Sequence, residues 1–408
     1  MNIGFYIHYT SLQAGGIFTY SIRILKLLLS LDSIYKVVLI ITAEQKEYFN
    51  TFNGNKKLEF SIIDRKKNFT KIRLSISYFL LDNFILYKGY FNDPNRLLFL
   101  KRLSFLFNPY RKTLKSNEID ILHIPSQYSP IYGGKIPIVI TMHDLQEFHY
   151  PEHFNTTERL HRSINTKKAI EESNHVIVSF EHVKTDVIKY FNIDSEKVSV
   201  CPPPFADNWF LKKNESAWNE LQKKYNLKKK YILYPAATWE HKNHLTLLDA
   251  IKNIRDEGPD IELVCTGNKT KYFSILVKKI EDLQLSDSVH FLGIVPEEDL
   301  ISLYKNSALV VIPTLYEAGS GPLYEAMKYQ VPVICSNVTS LPDTVSNNEF
   351  LFDPKNVSEL VMKIKSGLTD EDFRRKNIEN SKQRMEYFRQ INYSRNFTEV
   401  YKKIIRTG

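Results

Sequence analysis

The sequence predicts an α/β protein of two doubly wound domains, each a mainly parallel sheet covered on both faces. Three observations predict it. The chain has 408 residues, more than one core usually holds. Short apolar runs alternate with helical patterns from one end to the other. A run of three prolines, in "CPPPFADNWF" (201–210), interrupts the alternation near the middle and can continue neither a helix nor an inner strand.

The first strand is "NIGFYIH", followed by the glycine loop and helix "GGIFTYSIRILKLLLSL". "KVVLIIT" (36–42), "LEFSII" (58–63), "IDILHI" (119–124), "PIVITM" (137–142), "HVIVSF" (175–180) and "KVSVCP" (197–202) follow as strands. They are continuous rather than alternating apolar runs, the mark of strands buried on both faces. Beyond the prolines come "YILYPAA" (231–237), "IELVCTG" (261–267), "SVHFLG" (288–293), "ALVVIP" (308–313), "VPVICS" (331–336) and "EFLFD" (349–353). Residues 370–408 read as helix. The proline run therefore divides the chain after about residue 203, closing a first domain of 1–203; the resemblance described below sets the end of the second domain, 204–391. Ligands of such domains favour the carboxyl ends of the strands.

Composition narrows the function. Hydrophobic residues make up 43% and charged residues 25%, an ordinary globular balance. Cys201, Cys265 and Cys335 lie far apart, in or beside apolar runs. Their spacing suits no metal site and reads as buried free thiols of a reducing compartment. The N-terminus has no basic leader, and no apolar run approaches a membrane span. The expected location is the cytoplasm.

The charge is uneven. Residues 65–115 hold twelve Lys and Arg against two Asp, a charge of +10, while the whole chain carries +9. Aromatic residues interleave with that base. Three readings stand: amphipathic helices docking on an anionic membrane, core helices with solvated lysines, and a single-strand nucleic-acid face. The first is favoured, because the apolar residues cluster in runs such as "LLFL" and "LSFLF". No nucleic-acid partner is expected.

The stretch with most chemistry is "PTLYEAGSGPLYEAMKYQVPVICS" (313–336). It opens at the carboxyl end of a strand. Gly319 and Gly321 allow close backbone approach, and Pro322 suits a first helical position. Free N–H groups and the helix dipole there favour an anion. Glu317 precedes the glycines and Glu325 is expected in the first helical turn. A plain glycine turn with a dipole-complementing glutamate accounts for the same residues, and local physics does not separate the two.

This stretch resembles the E-x7-E signature of retaining GT-B glycosyltransferases of the family 4 type, also called group 1 glycosyltransferases. Other segments resemble the family in the same order and span nearly the whole chain. "AGGIFTY" (14–20) is similar to its first glycine loop, with Gly15 and Gly16. "TMHDLQEFHYPEHF" (141–154) is similar to its "HDL" segment. "YPAATWEHKNHLTLLDAI" (234–251) is similar to its donor-phosphate segment. "VHFLGIVPEEDLISLYKNSALVVIPTLYE" (289–317) is similar to its base-binding run.

The resemblance implies a GT-B fold, with two facing domains and a cleft between them. The C-terminal helix, about 392–408, would return to the first domain. It implies transfer of a sugar from a nucleotide-sugar donor to a glycan or lipid-linked glycan, as in bacterial surface polysaccharide assembly, without a metal or other cofactor. His143, Lys242 and Glu317 are the implied catalytic residues. Gly15, Gly16, Gly293, Ile294, Val295, Gly319, Ser320, Gly321, Leu323 and Glu325 are the implied donor-binding residues. Glu317 would hold the donor sugar, Glu325 the ribose and Lys242 the leaving diphosphate.

Relatives also place an arginine shortly before the lysine. Here the neighbourhood is "PAATWEHK", with Thr238 and Trp239 in its place. A sugar-nucleotide epimerase or hydrolase and a non-catalytic scaffold remain as alternatives. A zinc site at His143, His149 and His153 is disfavoured by the irregular spacing around Pro151.

Overall fold

The computed structural model describes residues 1–8, 16–87, 97–204, 216–258 and 260–407. Gly15, Lys88 and Arg96, and positions 205–210 of the proline-rich run, lie outside the described residues. The chain divides into two compact units, Met1–Pro203 with Asn392–Gly408, and Pro204–Ile391.

The first unit holds a seven-stranded parallel sheet in the order β3-β2-β1-β4-β5-β6-β7. Its strands are β1 (Asn2–Tyr6), β2 (Lys36–Ile41), β3 (Leu58–Ile62), β4 (Ile121–Ile124), β5 (Ile138–Met142), β6 (His175–Val178) and β7 (Val198–Val200). The second unit has a six-stranded parallel sheet in the order β10-β9-β8-β11-β12-β13. These are β8 (Tyr231–Pro235), β9 (Glu262–Thr266), β10 (Val289–Gly293), β11 (Leu309–Ile312), β12 (Val333–Ser336) and β13 (Leu351–Phe352). Each of the thirteen apolar runs read from the sequence carries one strand. Parallel strands buried on both faces have to be apolar throughout, so the signal is strong.

Both sheets follow the same winding rule. The first three strands run outward in one direction and the fourth returns to the other side of the first. The order therefore reverses between β1 and β4 in one unit, and between β8 and β11 in the other. Loops diverge at such a point and leave a crevice outside the carboxyl ends of the strands.

Alternate side chains of the first sheet feed two cores. Ile3 and Phe5 point into one and Tyr6 into the other, as the two-residue strand period requires. The last helix, Tyr393–Thr407, belongs to the first unit. Phe397, Val400, Tyr401 and Ile404 bury one of its faces against β1, β2 and the helix Gly16–Ser30. The Tyr401 hydroxyl lies 2.7 Å from His123 Nδ1, and His123 Nε2 lies 3.0 Å from the Thr141 hydroxyl. Both nitrogens of this fully buried imidazole are thus satisfied, and burial pushes its pKa down to about 3. Cys201, Cys265 and Cys335 are buried free thiols.

Candidate active site

In the second unit the candidate residues sit on loops at the carboxyl ends of the strands, centred on the reversal between β8 and β11. Lys242 ends a short 3-10 turn (Glu240–Lys242) after β8, and Glu317 lies in the loop after β11. Lys242 Nζ is 2.5 Å from Glu317 Oε2, with the two side chains 18% and 14% exposed. An ammonium and a carboxylate this poorly hydrated need each other, because either one alone keeps its desolvation cost. The lysine retains two further N–H donors for a ligand.

The surrounding loops are tied down. Asn243 adopts a left-handed conformation at φ 57°, tolerable for asparagine. Its amide donates to the carbonyls of Pro313 and Pro354, both at 2.9 Å. The Leu315 amide donates to the His241 carbonyl at 2.7 Å, and the Tyr234 hydroxyl to the Lys242 carbonyl at 2.9 Å. Thr339 clamps Glu317: its hydroxyl accepts from the Glu317 amide at 3.1 Å and donates to the Glu317 carbonyl at 2.6 Å. It does so at φ 50°, a costly backbone state for a β-branched residue. Neither residue type announces such a role in a sequence. Only the meeting of the loops after β8, β11 and β12 reveals it.

The helix after the glycines runs Gly321–Lys328. Ser320 caps it, its hydroxyl accepting from the Leu323 amide at 3.4 Å. Gly321 is thus the first helical residue and Pro322 the second, one place later than expected; proline fits there equally well, because that N–H has no intrahelical partner either. Glu325 accordingly falls in the second turn, a correction to the first-turn position expected above. Its Oε2 accepts from the Tyr304 hydroxyl at 2.7 Å.

Among the described residues, the amides of Ala318, Gly319, Ser320 and Gly321 donate to no acceptor. A Cβ placed on Gly321 would meet only Glu325 Oε1, at 3.9 Å. Internal packing therefore does not demand glycine at this position, and the space before it is open. Four N–H groups in succession at a helix start are thus left without an acceptor, and such groups favour an anion.

The remaining donor candidates divide. Leu323 is fully buried and its amide is taken by the Ser320 cap, so neither is presented to a ligand. Gly293 ends β10 at φ 73° with open space around it, Ile294 is exposed and Val295 half-buried. Gly267, after β9, was not singled out above. It stands at φ 118°, where a Cβ would lie 2.7 Å from Ala236, so glycine is required where that loop passes the one after β8. Thr238 is buried and bonds Thr270 and the Asn268 carbonyl, so its side chain faces inward.

His143 and Gly16 belong to the first unit. Gly16 begins the helix Gly16–Ser30. His143 follows β5, half-buried, with its ring edge-on to Tyr20 at 4.8 Å. Its Nε2 lies 2.9 Å from the Pro125 carbonyl. A carbonyl can only accept, so Nε2 carries the proton and Nδ1 keeps its lone pair. Desolvation lowers the His143 pKa against the opposing pull of that carbonyl and of Asp144. The ring is thus a neutral acceptor through Nδ1. Arg162 braces the same loop, bonding Asp144 at 2.8 Å and Glu147 at 2.9 and 3.0 Å. His149 pairs with Asp186 at 2.6 Å, and His153 stacks on Tyr150. Among the described residues no three His, Cys, Asp or Glu side chains are grouped to hold a metal ion.

Two family models match the chain. Residues 218–384 match "Glycosyl transferases group 1", and residues 80–208 match "Glycosyltransferase Family 4". Neither match alone reaches half of the chain, but together they span most of it, and both models describe glycosyltransferases. Among the relatives of this chain, the O-antigen chain mannosyltransferase RfbU of Salmonella typhimurium is 29% identical over 215 residues. That match covers 53% of this chain and 56% of the relative's length. O-antigen chain mannosyltransferase B of Escherichia coli is 26% identical over 292 residues, covering 69% of this chain and 76% of the relative.

Two solved structures illustrate the fold. A glycosyltransferase from Rickettsia africae superposes with a TM-score of 0.67 at 15% identity, covering 100% of this chain and 99% of that one. HepE of Anabaena, in complex with UDP and glucose, gives 0.67 at 15% identity over 99% and 100%. Each unit is thus a parallel-sheet, Rossmann-like domain, and the fold class is GT-B.

Proposed function

We propose that this chain transfers a sugar, with retention at the anomeric carbon, from a nucleotide-sugar donor to a glycan or lipid-linked glycan in bacterial surface polysaccharide assembly. The observation that carries the reading is the Lys242–Glu317 pair beside the amide cradle of residues 318–321. A departing nucleoside diphosphate gains charge as the glycosidic bond breaks. A fixed ammonium and pre-aimed N–H groups stabilise that charge more in the transition state than in the ground state. The cradle also supplies the donors that the missing arginine would have brought. Glu325, oriented by Tyr304, is the acceptor for ribose hydroxyls, and Glu317 for hydroxyls of the donor sugar. In the first unit, His143 Nδ1 is an acceptor for a sugar hydroxyl. None of these steps calls for a metal or other cofactor.

Thermal shift against UDP, GDP, dTDP and ADP tests the donor site, because a ligand stabilises by RT ln(1 + [L]/Kd). One nucleotide should raise Tm well beyond the others. The relatives' names support screening mannosyl donors first. Acceptor-dependent release of that nucleotide then separates a transferase from an epimerase, a hydrolase or a scaffold. Release that ignores the acceptor, or no release at all, would overturn the reading.

The acceptor is presented at an anionic membrane surface on the cytoplasmic side. Support comes from the helix Asn68–Tyr87, which is apolar on two faces. Leu74, Leu81 and Phe84 are buried on one. Phe69, Ile72, Ile76, Phe79 and Leu86 form an outward stripe at helical spacing, Phe69 being 71% and Phe79 68% exposed. On the helix Leu98–Phe107, Phe99, Leu103 and Leu106 are also exposed. Lys71 and Arg102 are exposed on the same two helices, and Lys112 is exposed on the short helix Arg111–Ser116 that follows. Not all the base is free, since Lys101 pairs with Glu172 and Arg73 bonds the carbonyls of Leu106 and Phe107.

No helix among the described residues is long and apolar enough to cross a membrane, so contact here would be peripheral. Vesicles with anionic lipid should bind the protein better than neutral ones, and less as salt rises, since exposed charges are screened over ~10 Å at 0.1 M. Lys71, Arg102 and Lys112 changed to glutamine should weaken that binding, each basic group contributing about 1 kcal/mol. Equal binding to both vesicle types would remove the membrane from the reading.

A further inference from the structure

The first unit has its own reversal of strand order, between β1 and β4, and the side chains gathered there have no assigned task. His8 follows β1, and Tyr128 follows β4. Their rings lie 4.2 Å apart. The Tyr128 hydroxyl donates to the Tyr78 hydroxyl at 2.9 Å, and the Tyr6 hydroxyl lies 3.3 Å from His8 Nδ1. Tyr6 and Tyr110, buried and edge-on at 5.4 Å, underlie the group. Arg65, just beyond β3, is within electrostatic reach of Tyr6, Tyr78, Tyr110 and Tyr128, and of His8.

Arg65 is half-buried. Among the described residues it forms no ion pair and no hydrogen bond. That is unusual, because a guanidinium stays charged at any relevant pH, and partly dehydrating it without a counter-charge is costly. Its neighbours are neutral: burial pushes the Tyr78 hydroxyl pKa up, and His8 is held down to about 4 by burial and by the Arg65 charge. No carboxylate among the described residues supplies the missing charge. The groups within its electrostatic reach are instead hydroxyls that can donate. In the Tyr128–Tyr78 pair one hydroxyl proton remains after the mutual bond. A fixed cation, spare O–H donors and aromatic walls, at the crevice outside the strand ends, form a receptor for an oxyanion attached to a larger apolar or sugar body.

We infer that Arg65, Tyr78 and Tyr128 bind an oxyanion carried by the acceptor, distinct from the donor diphosphate held in the other unit. It rests on the glycosyltransferase reading only for the word acceptor. Two sources share this chemistry, the diphosphate of a lipid carrier and the carboxylate of an acidic sugar.

Calorimetric titration tests it on a Lys242→Ala background, which removes the main cation of the donor site. The probes are inorganic pyrophosphate, geranyl diphosphate and glucuronate. At least one should bind, and adding Arg65→Gln should weaken it by ~10-fold or more, the size of a lost charge-assisted hydrogen bond. Tightest binding of geranyl diphosphate assigns the oxyanion to a lipid carrier, and of glucuronate to the glycan. The double change Tyr78→Phe with Tyr128→Phe should weaken the same probe, and it decides the matter if Arg65→Gln fails to fold. Binding of none of the three probes, or binding unchanged by both sets of substitutions, would overturn the site. Failure to find any donor would leave these titrations unaffected, so the two readings fail separately.

Discussion

Lys242→Ala should lower kcat by ~10²-fold or more while the protein stays folded, the usual cost of removing one preorganised transition-state donor. Lys242 is the side-chain cation placed at the anion cradle, and its ammonium is held 2.5 Å from Glu317 by loops that are themselves tied together. The fold should tolerate the change, because the Lys242 backbone keeps its bond from Tyr234 and Glu317 keeps its clamp from Thr339. The loss should appear in kcat more than in KM, since the charge on the leaving diphosphate grows only as the bond breaks. Single-turnover kinetics with circular dichroism checks both halves. A folded variant with unchanged kcat would remove the lysine from the chemistry.

The two glutamates should separate in opposite directions. Glu325→Ala should weaken the bare nucleoside diphosphate by ~10-fold or more, because hydrogen bonds to a charged acceptor are worth about 1.5–3 kcal/mol. Glu317→Gln should leave bare nucleotide affinity within a few-fold, or tighten it slightly. Removing that carboxylate's charge frees more of the Lys242 ammonium for phosphate. The same variant should lose ~10²-fold in turnover of the sugar nucleotide, since it no longer orients both the lysine and the sugar. Calorimetry on each variant, set against turnover, reads the two roles. The reverse pattern would exchange them.

Much of the fold and of the site is legible in the sequence. Strand positions can be read because a strand buried on both faces leaves no room for polar alternation. The loops that carry Lys242, Glu317 and Glu325 can be read because glycine and proline punctuate strand-to-helix turns for steric reasons local to the chain. Turn chemistry does not place the helix start to the residue, however. The Ser320 cap moves Glu325 one place along the helix, out of the first turn, and takes the Leu323 amide away from any ligand.

The basic segment shows where sequence reading ends. A count of lysines and arginines cannot tell that Lys101 is spent on buried Glu172 or that Arg73 ties two helices together. Nor can it tell that Arg65 has no partner among the described residues. Helical periodicity, for its part, cannot separate the inner from the outer apolar face of residues 68–87, because both repeat at the same spacing.

By itself, then, the sequence determined the two α/β domains, their strands and the loops bearing the chemistry, because those follow from hydrophobic pattern and backbone sterics within short windows. The tertiary structure alone decided that Lys242 meets Glu317 across 75 residues, that Thr339 holds Glu317, that Tyr304 orients Glu325 and that Arg65 comes within electrostatic reach of four tyrosines. Those pairings depend on which strands lie side by side. Strand order is a property of the whole chain's packing, and no local stretch of residues encodes it.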